Sequence, residues 1–303
     1  MRIHTYTFFR GFVFTTIVAM LVYSISGCTR LPNNGVPIYL QIDSPKVVSN
    51  AFLGSASSNI PGVWATTGSH NLGAYEMPVN IPILASGSIP IAISAGIYDN
   101  GIVNAPVEYP FYIPDTFTIP NAIAGHVYHH KPTYSYFAYT QVALNETFDA
   151  DNGFTNITPV INRADSNVYE GLRSGGIVLG TSVDSLTAIQ SQAVSVITNG
   201  RPAYVELNYK LPNANVLCDV GIVASMYSGG QLSEQTVIPK IVLTNPIGVW
   251  NKVYLNFSND IGTFDTEIGA DSTALYQVYF TAYHNLGQQD TVFLDNIKLL
   301  YFH

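Results

Sequence analysis

Polar and aromatic side chains recur at every second position of three short segments, and their types are those that bind hydroxylated ligands. In Tyr204–Lys210, Tyr204, Glu206, Asn208 and Lys210 alternate with Val205, Leu207 and Tyr209. In Val253–Phe257, Tyr254 and Asn256 alternate with Val253, Leu255 and Phe257. In Gln277–Tyr283, Gln277, Tyr279, Thr281 and Tyr283 alternate with Val278, Phe280 and Ala282. Period two puts the two sets on opposite faces of a strand. With the apolar set inward and the strands in one sheet, Tyr204, Glu206, Asn208, Tyr254, Asn256, Gln277, Tyr279 and Tyr283 form a single outward, candidate ligand-binding face. Phenol rings stack on sugar rings, while amides and a carboxylate hydrogen-bond hydroxyls. An ordinary half-wet antiparallel sheet has the same surface, since Tyr joins high strand propensity to a polar tip.

Residues for catalysis are harder to find. The chain has no Gly-x-Ser-x-Gly, His-Glu-x-x-His, Gly-x-Gly-x-x-Gly or P-loop. His126, His129 and His130 crowd one segment, but no second Cys or His cluster completes a tetrahedral set. Among 20 acids nothing marks a hydrolytic dyad. The chain therefore reads as non-catalytic.

The amino terminus carries its own chemistry. Arg2 and Arg10 precede an uncharged, largely apolar run from Gly11 to Ile25, which ends in Ser26-Gly27-Cys28. A basic start, a short apolar core and small residues before a cleavage point describe a signal peptide over residues 1–27. The run is shorter than the roughly 20 apolar residues that a membrane span needs. Ser26-Gly27-Cys28 resembles a bacterial lipobox, which implies a Cys28 lipidated with palmitate-type acyl chains as the first mature residue. Thr29-Arg30 follows, with no Asp and no acidic run. By resemblance to Gram-negative lipoproteins of the Bacteroidota type, that implies an outer-membrane anchor, with the periplasmic face preferred. Residues 28–36 then read as a tether.

Composition narrows the rest. Charged residues are 11% of the chain, against about 25% in a typical globular protein. Tyr (20), Phe (15), Gly (24) and Pro (17) are plentiful, which favours short strands and many turns. The formal charge of −8 excludes a nucleic-acid partner, whose phosphates demand a basic patch. Once Cys28 is lipidated, Cys218 stands alone in an apolar strand and reads as a small buried hydrophobe.

The positioning elements are all strands. Ile38, Leu40 and Ile42 alternate with Tyr39, Gln41 and Asp43, and further candidates are Gly62–Thr66, Asn80–Leu84, Ile89–Ala95 and Tyr134–Thr140. Asp99-Asn100-Gly101 is a turn signal. Only Ser182–Val196 passes for a helix. The expected fold class is all-β: a small sandwich over 37–140 and a jelly-roll sandwich over 144–303. Asn71–Glu76 and the apolar run after it resemble small extracytoplasmic β-sandwiches.

Four places in the second half carry a stronger resemblance. They are Glu146-Thr147-Phe148-Asp149 with Asn152-Gly153-Phe154; Val168-Tyr169-Glu170-Gly171 with Ser174-Gly175; Trp250-Asn251-Lys252-Val253; and Phe293-Leu294-Asp295-Asn296-Ile297-Lys298-Leu299. In order and spacing they resemble jelly-roll carbohydrate-binding modules and galactose-binding-like domains. That resemblance implies a structural calcium at the sandwich edge, with Glu146, Asp149, Glu170 and Asp295 as its ligands. It also implies glycan or cell-envelope binding. The alternative is a structural or assembly component of an outer-membrane protein complex, with a glycoside-active enzyme third. Trp250 is expected to pack at the sandwich rim.

Overall fold

A computed structural model describes residues 35–49, 53–104, 106–161, 167–244, 246–267, 272–285 and 287–303. The signal-peptide and lipidation expectations, Cys28 included, lie outside the described residues.

The fold is all-β. In the first half, β1 (Ile38–Ile42) pairs antiparallel with β5 (Val79–Ile83) and parallel with β9 (Val127–His130). A short ladder joins β2 (Lys46–Val47) to β10 (Thr133–Tyr134). A second sheet runs β4 (His70–Glu76), β3 (Gly62–Thr67), β6 (Gly87–Ile97), β7 (Val107–Glu108), with β8 (Asp115–Ala122) also on β6. The two sheets bury Ile38, Leu40, Ile42, Val63, Ile81 and Ile91 between them, in keeping with the alternation of β1.

In the second half, one sheet runs β12 (Thr158–Ile161), β13 (Arg173–Leu179), β20 (Asp290–Tyr301), β15 (Ala203–Lys210), β18 (Asn251–Asn256), with β11 (Gln141–Glu146) against β20. The facing sheet runs β14 (Ser185–Ile189), β19 (Ser272–Tyr283), β16 (Leu217–Ser228), β17 (Gln231–Leu243). No described ladder joins a strand before residue 135 to one after residue 140. Val205, Leu207, Leu255, Phe257, Val278 and Phe280 fill the space between the two sheets, on the faces that alternation assigns to the core. Cys218 is buried there, and burial pushes its thiol well up.

Two elements depart from the sequence reading. Ser182–Val196 is not helical: Ser185–Ile189 forms β14, as its β-branched and Ser/Thr content favours. The one helix among the described residues is α1 (Ser258–Glu267), which has Asp260 in its first turn. Its apolar stripe is only Ile261 and Phe264, too thin to stand out as a period. Tyr134–Thr140 also holds less strand than expected, with β10 followed by a single bridge between Tyr112 and Tyr136.

Candidate functional site

The expected ligand face is divided between two sheets, and half of it is covered. Tyr204, Glu206, Asn208 and Tyr254 lie on the sheet of β15 and β18, and each is at most 4% exposed. The first half of the chain covers them. Tyr109, Phe111, Tyr112, Tyr134 and Tyr136 pack with Tyr204, Tyr254, Leu300 and Phe302 as one apolar cluster. The Tyr109 ring sits 4.9 Å from that of Tyr254 and 5.5 Å, edge-on, from that of Tyr204. The Asp99–Gly101 turn forms as expected, with φ of 54° at Asn100 and 68° at Gly101. It docks against β18: the Asn100 amide donates to the Tyr254 carbonyl (2.9 Å), and Asn256 Nδ2 donates to Asp99 Oδ2 (3.0 Å). A face that alternation alone makes wet is thus the junction between the two halves.

Glu206 is the polar centre of that junction. Its carboxylate accepts from the Tyr109 hydroxyl and from the Tyr136 hydroxyl (3.0 Å), and lies 2.5 Å from Lys252 Nζ. Burial alone would push this carboxyl up, but Lys252 and Lys298 beside it hold it below its usual range. Burial pushes Lys298 down to about 8, and its ammonium donates to the Ser55 carbonyl (3.1 Å).

Gln277, Tyr279 and Tyr283 sit on the other sheet, in β19. Tyr279 is 5% exposed, lies over Gly221 where no side chain would fit, and donates to Asp219 Oδ2 (3.2 Å). Gln277 Nε2 donates to the Gln190 carbonyl (2.6 Å), and Tyr283 is exposed. The eight residues therefore do not share one surface.

The four edge carboxylates tie down loops. Glu146 accepts from the Phe148 and Gly153 amides, each at 2.6 Å. Asp149 accepts from the Leu172 (2.6 Å) and Arg173 (3.0 Å) amides. Asp295 accepts from Tyr169, Glu170 and Asn296. Glu170 accepts from Ser55 and Asn296. Among the described residues no group of three or more His, Cys, Asp or Glu side chains is disposed to hold a metal ion. The oxygens of Glu146, Asp149 and Asp295 are directed at backbone amides, and those of Glu170 at the Ser55 and Asn296 side chains. Burial raises the Asp295 carboxyl to about 7 against those amide bonds. In the histidine segment, His130 stacks on Phe117 (3.7 Å) and meets Asp115 (3.1 Å).

An open concavity remains at the junction. A cleft of about 380 Å³ is lined by Asn59, Tyr98 and Val103 from the first half, and by Tyr209, Thr244 and Asn251 from the second. Asn59 Nδ2 donates to Asn251 Oδ1 (3.2 Å) and to the Lys252 carbonyl (3.1 Å), and Asn251 Nδ2 donates to the Tyr209 hydroxyl (3.1 Å). At the neighbouring rim, Trp250 packs edge-on against Tyr169 at 5.7 Å. Cleft walls of carboxamides and phenols can hydrogen-bond hydroxyls and stack on a ring, and sites of this size favour domain junctions. Asn59, Tyr98 and Asn251 escaped the sequence reading because no pattern joins residues about 190 apart.

No family model matches the chain, and no curated protein is similar to it in sequence. Similar solved structures include a carbohydrate-binding module of the β-sandwich superfamily (14% identity, TM-score 0.38, 78% of this chain and 84% of that one). Another is the xylan-binding domain from CBM 22 (13%, TM-score 0.34, 53% and 94%). A third is the family 11 module from Clostridium thermocellum in complex with a β-1,3-1,4-mixed-linked tetrasaccharide (14%, TM-score 0.31, 55% and 91%).

Proposed function

We propose that the mature chain is a non-catalytic, outer-membrane-anchored lipoprotein that binds glycan or cell-envelope polymer in the cleft between its two halves. The observation that carries this reading is the cleft itself, where Asn59, Tyr98, Tyr209 and Asn251 meet from both halves around about 380 Å³. The anchor rests on the Arg-flanked apolar run and on Ser26-Gly27-Cys28. Among the described residues no helix is long and apolar enough to cross a membrane.

The experiment is a panel of soluble envelope and plant polysaccharides titrated against wild type, Tyr98→Ala and Asn251→Ala. Binding by wild type that both variants lose, at unchanged melting temperature, supports the cleft. Equal binding by all three places the ligand elsewhere. A chain that retains no polysaccharide leaves the assembly reading in front. One observation favours that second reading: β17 is a 13-residue sheet edge on which Leu232, Val237 and Val242 are exposed. Copurification of the native protein with an envelope partner would support it.

A further inference from the structure

The junction holds a second constellation, which shares only Lys252 with the cleft. Register places Asn208 of β15 directly opposite Lys252 of β18. Directly opposed side chains share a face, with Cβ atoms about 4.5–5.5 Å apart. Asn208 is 1% exposed and Lys252 4%. Asn208 Oδ1 is buried without a hydrogen-bond partner, and the buried Lys252 Nζ has no polar partner beyond its ion pair with Glu206. Glu206, two residues along β15, is fully buried, and its Oε2 lies 2.5 Å from Lys252 Nζ. The Tyr109 and Tyr136 hydroxyls fix that carboxylate in place, and their rings belong to the apolar cluster that keeps water out. An amine, a carboxamide and a positioned carboxylate are thus brought together in a dry site.

We propose that Lys252 and Asn208 join in an intramolecular amide cross-link, with Glu206 as the proton carrier. Glu206 takes a proton from the Lys252 ammonium, which frees the Nζ lone pair. Nζ adds to Asn208 Cγ, and the Nζ–Cγ bond forms. Glu206 delivers its proton to Nδ2 and takes the second proton from Nζ, the Cγ–Nδ2 bond breaks, and the ammonia that leaves carries that second proton away as ammonium. One ammonium and one carboxamide become one secondary amide and one ammonium ion, so no oxidant, reductant or cofactor is needed. Holding the two groups in register on adjacent strands supplies the proximity that this otherwise slow exchange requires.

Charge favours the product. As folded, the Lys252 and Lys298 ammonium groups both act on the single carboxylate of Glu206. A buried ammonium beyond the number of its counter-ions is costly. Conversion of Lys252 to an amide leaves Glu206 with Lys298 and removes the second ammonium that shares its single carboxylate. The cross-link would staple β15 to β18 beneath the first half of the chain.

Intact mass spectrometry of the folded, full mature protein tests this. The expected result is a mass short of the sequence by one ammonia, with a digest that contains a branched peptide joining the segments around Asn208 and Lys252. Lys252→Met and Glu206→Gln should each restore the full mass. A folded wild-type protein of full mass overturns the proposal. So does an ammonia deficit that survives Lys252→Met and maps to Asn208 alone, since an Asn succinimide gives the same loss. If Glu206→Gln does not fold, the wild-type mass and the branched peptide decide.

Discussion

Tyr204 changes meaning once its surroundings are known. In a wet face it is dispensable; here its ring packs edge-on against Tyr109 and Phe111. Tyr204→Ala should cost about 3–5 kcal/mol, the usual range for a buried aromatic truncated to Ala. Tyr283→Ala, on the exposed end of β19, should stay within about 0.5 kcal/mol. Urea titrations of both variants measure the difference, and equal midpoints would remove Tyr204 from the junction. Asp295 gives a pH signature. Burial raises its carboxyl to about 7, so the native state holds this proton more tightly than the unfolded chain does. Its contribution is full below the ordinary carboxyl range and is lost as pH rises through about 7. His284, raised by its bond to Asp290, loses its contribution in the same direction. Melting temperature should therefore fall from about pH 5 to about pH 8 in wild type, and less steeply in Asp295→Asn. Parallel profiles would show that Asp295 ionises normally.

At the scale of elements, alternation was readable wherever one face of a strand meets a core. β1, β15, β18 and β19 sit close to where the sequence places them, and Val205, Leu255 and Phe280 point inward as expected. Where the other face looks was not readable. Period two gives Tyr204 and Tyr279 the same pattern, although one lies under a second domain and the other on an outer sheet face. Sheet partnership depends on ladders between distant segments, and no local signal carries it. The edge carboxylates follow the same logic. Glu146, Asp149, Glu170 and Asp295 were legible as a group only through the resemblance that makes them calcium ligands, while the hydrogen bonds they accept depend on coordinates. If those bonds stand in for an ion, melts with excess calcium and with chelator should share one midpoint. A rise with calcium would show that the carboxylates exchange amide for ion, because a ligand of the folded state alone raises its stability.

At the scale of the whole molecule, the junction is built as a core and not as a hinge. Its cluster takes Tyr109, Phe111 and Tyr136 from one half and Tyr204, Tyr254 and Leu300 from the other, with Glu206 bonded across it. Junctions between loosely linked domains are more polar, whereas large apolar ones hold domains together. Separating the halves would expose these rings and leave Glu206, Lys252 and Lys298 without their tyrosine cover, so neither half should unfold alone. Calorimetry should then show one transition for the mature chain. Phe111→Ala, although in the first half, should lower that single transition and cost about 3–5 kcal/mol. The second sandwich reports on itself through Val278, buried in its own core, so Val278→Ala should move the same transition and not a separate one. Two resolved transitions, with Phe111→Ala moving only the first, would mean that the halves fold independently. The cleft would then be a gap between hinged bodies, and the walls given by Asn59 and Asn251 would not hold a fixed shape for a ligand.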